Sequence, residues 1–163
     1  MPALRSDWSE ARCPIARSLD VVGDPWILLI LRDALLGSRR YDQFRRSLGI
    51  ADNVLAKRLA AMVEADLLRK TPYRDESGRE RQEYRLTKAG EELMPVLHAL
   101  VLWGERHMPG PDGDRLDIVH TPCGARTTSA DRCDACGQEL IPDTVSWSRP
   151  WRRQTMTPLV AAD

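Results

Sequence analysis

The stretch DPWILLILRDALLG, residues 24–37, constrains the fold of this chain more than any other. Asp24 suits a helix N-cap, Pro25 suits a first turn where its missing N–H costs nothing, and Gly37 suits a left-handed stop, so the spacing predicts a helix over 25–36. Trp26, Ile27, Leu28, Leu29, Ile30, Leu31, Leu35 and Leu36 leave that helix almost no polar side. A helix that is apolar all round has to be covered on every side. It is too short for a bilayer, which needs about 20 residues, so it belongs at the centre of a small helical domain. No apolar run approaches about 18 residues, and the N-terminal MPALRSDWSE lacks the basic-then-apolar order of a signal peptide. No membrane partner is expected, and the cytoplasm is the expected location.

The surrounding segments supply the cover. Pro14 opens a preceding helix, and Gly23 stands where that helix can end left-handed. YDQFRRSL, residues 41–48, is amphipathic with Tyr41, Phe44 and Leu48 on one side, and Gly49 ends it. After a tight turn, with Asp52 or Asn53 as N-cap, a second helix carries its core stripe through Leu55, Leu59, Met62 and Val63. Two extended stretches, about 67–74 and 80–86, flank the turn signal Asp75-Glu76-Ser77-Gly78, and Pro72 marks the first as an edge or bulged strand. Helical spacing resumes after Thr87, and Pro95 predicts a kink or an effective start near Met94. The organisation expected is a winged helix–turn–helix domain over 1–108, a linker over 109–114, a Cys/His unit over 115–145 and a tail over 146–163. The fold class is mainly α with a β-hairpin wing, plus that small zinc-ribbon-like unit.

Formal net charge is zero, but its distribution is uneven: residues 32–87 hold 13 Lys and Arg against 9 Asp and Glu. A basic middle third hints at a phosphate-facing surface, although a solvated face gives the same count. The sharper signal lies in residues 53–60. Asn53, Ala56, Lys57 and Ala60 fall at i, i+3, i+4 and i+7, a face with no large apolar group. A helix enters the major groove, about 12 Å wide, only with a slim face that can hydrogen-bond. Asn53 can pair with adenine edges or phosphate, Lys57 and Arg58 can reach guanine or phosphate, and Ala56 and Ala60 allow close approach; Asp52 stands at the start of the same helix. Arg39, Arg40, Arg45 and Arg46 on the preceding segment are phosphate candidates, and Arg74, Arg79 and Arg81 on the hairpin would flank the minor groove. Taken singly, each cation reads equally well as a solvating surface group. Helix, helix–turn–helix and basic-tipped hairpin in that order make the winged pattern. The tip DESGRERQ departs from a simple phosphate-binding wing, because Asp75, Glu76, Glu80 and Glu83 nearly cancel its arginines.

In CPIARSLDVVGDPWILLILRDALLG, RRYDQFRRSLGIADNVLAKRLAAMVEADLLRK, YRLTKAG and LMPVLHALVLWG, covering most of residues 13–104, the chain resembles the HxlR family of bacterial winged-helix transcriptional regulators. The resemblance implies a homodimer, built from the N-terminal helix and the long C-terminal helix, on a two-fold-related double-stranded DNA operator. It gives a purpose to the broad apolar side from Leu93 to Trp103. It also implies that a cysteine in the position of Cys13 can serve as a thiol-based sensor of an oxidant.

The cysteines divide into Cys13 and the cluster His120-x2-Cys123-x9-Cys133-x2-Cys136. Two x2 pairs, each followed by glycine at Gly124 and Gly137, make knuckles that point backbone N–H groups at thiolates, and one His with three Cys fills a tetrahedral zinc shell with no open position. That is a structural zinc site; the alternatives are a metal-free ribbon and a Cys133–Cys136 redox pair. Cys13 precedes a Pro-initiated helix, where the dipole favours thiolate reactivity, and it reads equally as a small apolar interface residue. His98 and His107 are nine apart and read as ordinary helix residues. Trp26 and Trp103 read as packing, with Trp8, Trp147 and Trp151 unassigned.

The function read from these residues is a sequence-specific dimeric transcriptional repressor, answering to a small-molecule or oxidant effector. The alternative is a zinc-ribbon interaction module whose basic helices dock a protein. No nucleophile–base pair or open metal site points to an enzyme.

Overall fold

The computed structural model describes residues 8–162. Four helices come first: α1 (Pro14–Val22), α2 (Pro25–Leu35), α3 (Tyr41–Leu48) and α4 (Asp52–Glu64). The hairpin β1 (Leu68–Arg74) and β2 (Glu80–Leu86) follows, then a single turn α5 (Lys88–Glu91) and the long α6 (Met94–His107). Strands β3 (Asp117–His120), β4 (Ala125–Thr127), β5 (Val145–Ser148) and β6 (Met156–Pro158) form one antiparallel sheet in the order β4-β3-β5-β6. No helix of the described residues is long and apolar enough to cross a membrane.

The apolar helix sits at the centre as its composition requires. Ile30, Leu31 and Leu35 of α2 are wholly buried, with Phe44 of α3, Leu55, Leu59 and Met62 of α4, Leu68 of β1 and Met94 of α6 packed into the same core. Full burial of each such side chain stabilises the fold by about 1.5–3 kcal/mol. Asp24 caps α2, its Oδ1 accepting from Trp26 N–H at 2.9 Å. Gly49 ends α3 at φ 59°, in the left-handed region where a Cβ is costly. Pro95 falls in the first turn of α6, so the chain starts a new helix at Met94 and needs no kink.

Two local expectations differ. Gly23 closes α1 in a right-handed conformation, φ −71°. The N-cap of α4 is Ala51, with no side-chain cap, because Asp52 is one residue inside the helix and faces α3 instead. Both β1 and β2 are edge strands of a two-stranded sheet, so Pro72, opposite Gln82, removes a donor that an isolated hairpin can lack.

The largest difference lies beyond residue 145. The segment expected as a tail supplies β5 and β6 of the sheet, Trp147 is 1% exposed, and Leu159 is buried. Val160 N–H then donates to Leu35 O at 2.8 Å, satisfying a carbonyl that the end of α2 would otherwise leave open. Ala162 N–H donates to Glu91 Oε2 at 2.7 Å. His98, read as an ordinary helix residue, is fully buried between α6 and the sheet: it meets Ala130 O at 2.8 Å through Nδ1, while Trp147 Nε1–H donates to its Nε2 at 3.1 Å. An indole nitrogen only donates, so Nε2 is the acceptor and Nδ1 carries the proton. Trp103, read as packing, is 57% exposed.

Candidate nucleic-acid interface and metal centre

Two contacts fix α3 and α4 relative to each other, and a third closes the start of α3. Tyr41 Oη–H donates to the Asp52 carbonyl at 2.8 Å, Arg45 Nη1 approaches Asp52 Oδ2 at 3.4 Å, and Gln43 Oε1 accepts the N–H groups of Arg39 and Arg40 at 2.8 and 2.9 Å, closing the start of α3. Burial first, then the Asp52 carboxylate, raises the Tyr41 phenol above its usual value, so this donor stays protonated. With Leu55, Leu59 and Met62 turned inward, α4 leaves Asn53, Ala56, Lys57 and Ala60 exposed on its outer side. Among the described residues Lys57 pairs with no carboxylate.

Arg58 differs from its expected role. Its Nη2 lies 2.7 Å from Asp24 Oδ2 in a largely buried pair, so the cation bolts α4 to the N-cap of α2 and does not reach outward. Sequence spacing alone could have hinted at this, since Arg58 follows the outward Lys57 by one residue, or about 100° around the helix.

The cations on α3 and the wing are arranged in layers. Arg40 stacks over the Tyr73 ring at 4.6 Å, and Arg39 O accepts from Tyr84 N–H at 2.7 Å, so the start of α3 is fastened to the hairpin. Arg45 and Arg46 lie exposed in surface pairs with Asp52 and Asp42, which contribute little to stability and exchange readily for other anions. At the wing tip, Arg74 Nη1 donates to Gly78 O at 3.2 Å, Arg81 Nε meets Asp75 Oδ2 at 3.2 Å, and Arg79 is exposed. The acidic character of that tip has a structural cause. Asp75 Oδ1 accepts from Ser77 Oγ at 2.6 Å and from the N–H groups of Ser77 and Arg79 at 3.0 Å, and these bonds, the Ser77 hydroxyl above all and Arg81 after it, hold its carboxyl at about 2 against a smaller opposing desolvation. Glu83 is buried against Arg85. Two of the four acids are therefore used inside the hairpin.

The second cluster is His120, Cys123, Cys133 and Cys136, whose ligand atoms all lie within 4.8 Å of one another. His120 Nδ1 is 3.2 Å from Cys123 Sγ and 3.4 Å from Cys136 Sγ, and Cys123 Sγ is 3.6 Å from Cys133 Sγ. A tetrahedral ion with bonds of about 2.0–2.3 Å needs edges of roughly 3.5–3.8 Å, which this set approaches. Gly124 and Gly137 turn their knuckles at φ 71° and 72°, donating to His120 O and Cys133 O at 2.8 Å. Backbone N–H groups of Cys136 and Ala135 lower the Cys133 thiol from its usual range. Cys136 has a Gln138 N–H favouring its thiolate, yet burial and the sulfurs of Cys133 and Cys123 raise it overall. Three adjacent sulfurs cannot all ionise without a cation among them. The cluster can hold a metal ion.

Cys13 lies far from this cluster in sequence, exposed at the N-cap position of α1 without a side-chain cap.

A family model described as HxlR-like helix-turn-helix matches residues 21–111. The chain belongs to the HxlR-like helix-turn-helix family. It is accordingly a DNA-binding transcriptional regulator of winged-helix type. An HTH-type transcriptional regulator of Mycobacterium tuberculosis H37Rv, Rv3095, is 39% identical over 132 residues, 81% of this chain and 82% of its own length. The crystal structure of PA1607, a proposed transcription factor, is similar with a TM-score of 0.66 and 40% identity, spanning 82% of this chain and 92% of that one. The redox regulator HypR in its oxidized form is similar at a TM-score of 0.53 and 26% identity over 60% of this chain. In this HxlR-like protein the family match ends at residue 111, so the His/Cys cluster lies outside it, whereas the PA1607 likeness extends over most of the chain.

Proposed function

We propose that the protein is a homodimeric repressor that lays α4 of each protomer in the major groove of a two-fold-related operator. The observation that carries this reading is the split surface of α4, with Leu55, Leu59 and Met62 inward and Asn53, Ala56, Lys57 and Ala60 outward. Lys57 contacts guanine or phosphate, Asn53 pairs with adenine, and the alanines admit the groove floor or a thymine methyl. Arg39, Arg40, Arg45 and Arg46 hold the phosphates beside α3, and Arg74 and Arg79 those beside the wing, with Arg81 supporting the tip. Arg58 positions α4 through Asp24.

The dimer reading is supported by apolar faces without cover in one protomer. No residue of α1 is buried, and α6 exposes Val96, Leu100 and Trp103 by 44%, 48% and 57%. A second copy covering them would set two α4 helices about one DNA turn, roughly 34 Å, apart. His120, Cys123, Cys133 and Cys136 would hold a structural zinc ion, which supplies the positive charge that three thiolates need. Cys13 is exposed and stands outside the His/Cys cluster, so with Cys123 and Cys136 engaged by a metal ion it is the thiol left for an oxidant, and HypR, a redox regulator of similar fold, supports that reading. Cys13→Ser with an unchanged oxidant response of DNA binding removes it.

Mobility shift of selected operator DNA across a salt series tests the central reading. Affinity should fall linearly in log–log form with salt, and Lys57→Ala should weaken it by about 1–3 kcal/mol or lower the salt slope by about one. Unchanged affinity and slope in Lys57→Ala would mean that α4 is not the reading element.

A further inference from the structure

Outside the α3–α4 surface and the His/Cys cluster, four arginines gather where the β5–β6 turn meets the end of α2. Arg32 of α2 and Arg149, Arg152 and Arg153 of the turn line one cavity of about 470 Å³, a size in the range of small-molecule sites. Asp33 is the one carboxylate on its wall, and Arg32 already engages Asp33 Oδ1 through Nε at 2.8 Å and Nη2 at 2.7 Å. Four cations less one anion leave an excess of three positive charges.

The turn holding three of these arginines is built. Arg149 N–H donates to Thr155 O at 2.6 Å, Arg152 N–H donates to Arg149 O at 2.9 Å, and Arg149 Nη2 donates to Thr157 Oγ1 at 2.9 Å. Arg149 Nε is buried without a hydrogen-bond partner among the described residues, as is Asp33 Oδ2. Desolvation first, then the charges of Arg152 and Arg32, pull the Arg149 guanidinium below its usual range. Like charges gathered in a partly desolvated recess repel, and among the described lining residues no second carboxylate offsets them. The remaining wall is mixed: Trp151, Trp147, Leu116 and Leu36 give it an apolar part, and Ser38, Ser47 and Gln154 a neutral polar part.

We propose that this cavity is a binding site for a small organic oxyanion, a carboxylate or a phosphate ester with a compact apolar body. Guanidinium forks pair with the planar oxygens of either headgroup, Arg149 and Arg152 being placed to do so, and the apolar body lies against Trp151 and Leu116. A duplex backbone is the rival occupant. The recessed shape, with Trp151, Leu116 and Leu36 in its wall, and the partnerless Nε of Arg149, one of its lining residues, favour a molecule that enters over a duplex that passes across. Occupancy would tie the C-terminal sheet to the central helix α2. This site is independent of how α4 is used.

The test is calorimetric titration of the full chain with benzoate, phenyl phosphate and inorganic phosphate. Benzoate or phenyl phosphate should saturate one site per chain with Kd at or below about 1 mM, and the ratio of the two identifies the headgroup. Inorganic phosphate, lacking the apolar body, should bind at least about tenfold more weakly. R149Q should weaken the better probe about tenfold or more. Because Arg149 also braces the turn, the exposed pair R152Q/R153Q provides a second variant, expected to weaken binding several-fold with the unfolding midpoint unchanged. The proposal is overturned if no probe saturates up to about 10 mM, if inorganic phosphate binds as well as phenyl phosphate, or if both variants bind normally. It is equally overturned if R152Q/R153Q lowers only the affinity for DNA, which assigns the arginines to a duplex.

Discussion

The winged-helix body and the C-terminal sheet are held together by different physics. The body has a continuous apolar core running from Ile27 through Phe44, Leu59 and Leu68 to Leu97, and its exposed ion pairs, such as Arg46–Asp42, are incidental to it. The sheet has strands of three or four residues and a much smaller share of the core, chiefly Ile118, Cys133, Leu140, Val145 and Trp147. Its order depends on directional contacts: the His120/Cys cluster at one end, and His98, Glu91 and the Leu35 carbonyl as anchors to the body. Non-directional burial tolerates many small changes, whereas a few directional bonds fail one at a time.

Stripping the metal ion proposed for the His/Cys cluster is the strongest way to break that contrast. With a chelator, or in Cys133→Ser, the C-terminal sheet should lose hydrogen-exchange protection entirely, since metal binding supplies on the order of 10 kcal/mol in small zinc units, while α2 and α4 stay protected. Simultaneous loss of protection in α2 and α4 would show the two regions to be one cooperative unit. In the body, Leu59→Ala should lower unfolding free energy by about 2–5 kcal/mol by leaving a cavity in a fully buried site, with metal affinity unchanged. Denaturant titration of both variants places these two effects in order.

At the junction the expected effects are smaller. Trp147→Phe removes the N–H that His98 accepts and should cost about 1–3 kcal/mol, read as weaker protection of β5 against exchange. Burial lowers the His98 pKa from its ordinary value, outweighing the Ala130 carbonyl, which favours the charged form. The folded state therefore binds fewer protons than the unfolded one below about pH 6.5. Stability from this contact is present above that pH and declines as pH falls toward the lowered folded value, because a second proton at Nε2 would face the Trp147 N–H. His98→Gln should flatten that part of the pH–stability curve; an equally steep decline in the variant would assign it to other groups. The smallest effect belongs to Arg46→Ala, within about 0.5 kcal/mol of the parent in thermal unfolding, because both partners of its ion pair are solvated.

Much of the body was legible in the chain because its signals are local. The 3.6-residue period of Leu55, Leu59 and Met62 set the inner side of α4, glycines with positive φ stopped α3 and turned the hairpin, and Pro95 marked the start of α6. The His/Cys cluster was equally local in its signs: two short spacings, each followed by a glycine that the knuckle needs in the left-handed region. One-residue errors, such as the N-cap of α4, arose where two capping residues stood side by side and tertiary partners on α3 took Asp52, Arg45 its carboxylate and Tyr41 its carbonyl.

What the sequence by itself determined, then, is whatever depends on backbone geometry within a few residues: the order of helices and strands, the slim outer face of α4 and the composition of the His/Cys cluster. Only the tertiary structure decided that Trp147 reaches His98 across 49 positions, that Ala162 returns to Glu91 across 71, that Arg58 turns to Asp24, and that four arginines converge beside Asp33. The physical reason is that helix and strand periods repeat every few residues and imprint on composition, whereas a single long-range hydrogen bond or ion pair requires only one suitable group at each end. Such a pairing leaves no periodic trace and becomes visible only when the core has brought the two ends together.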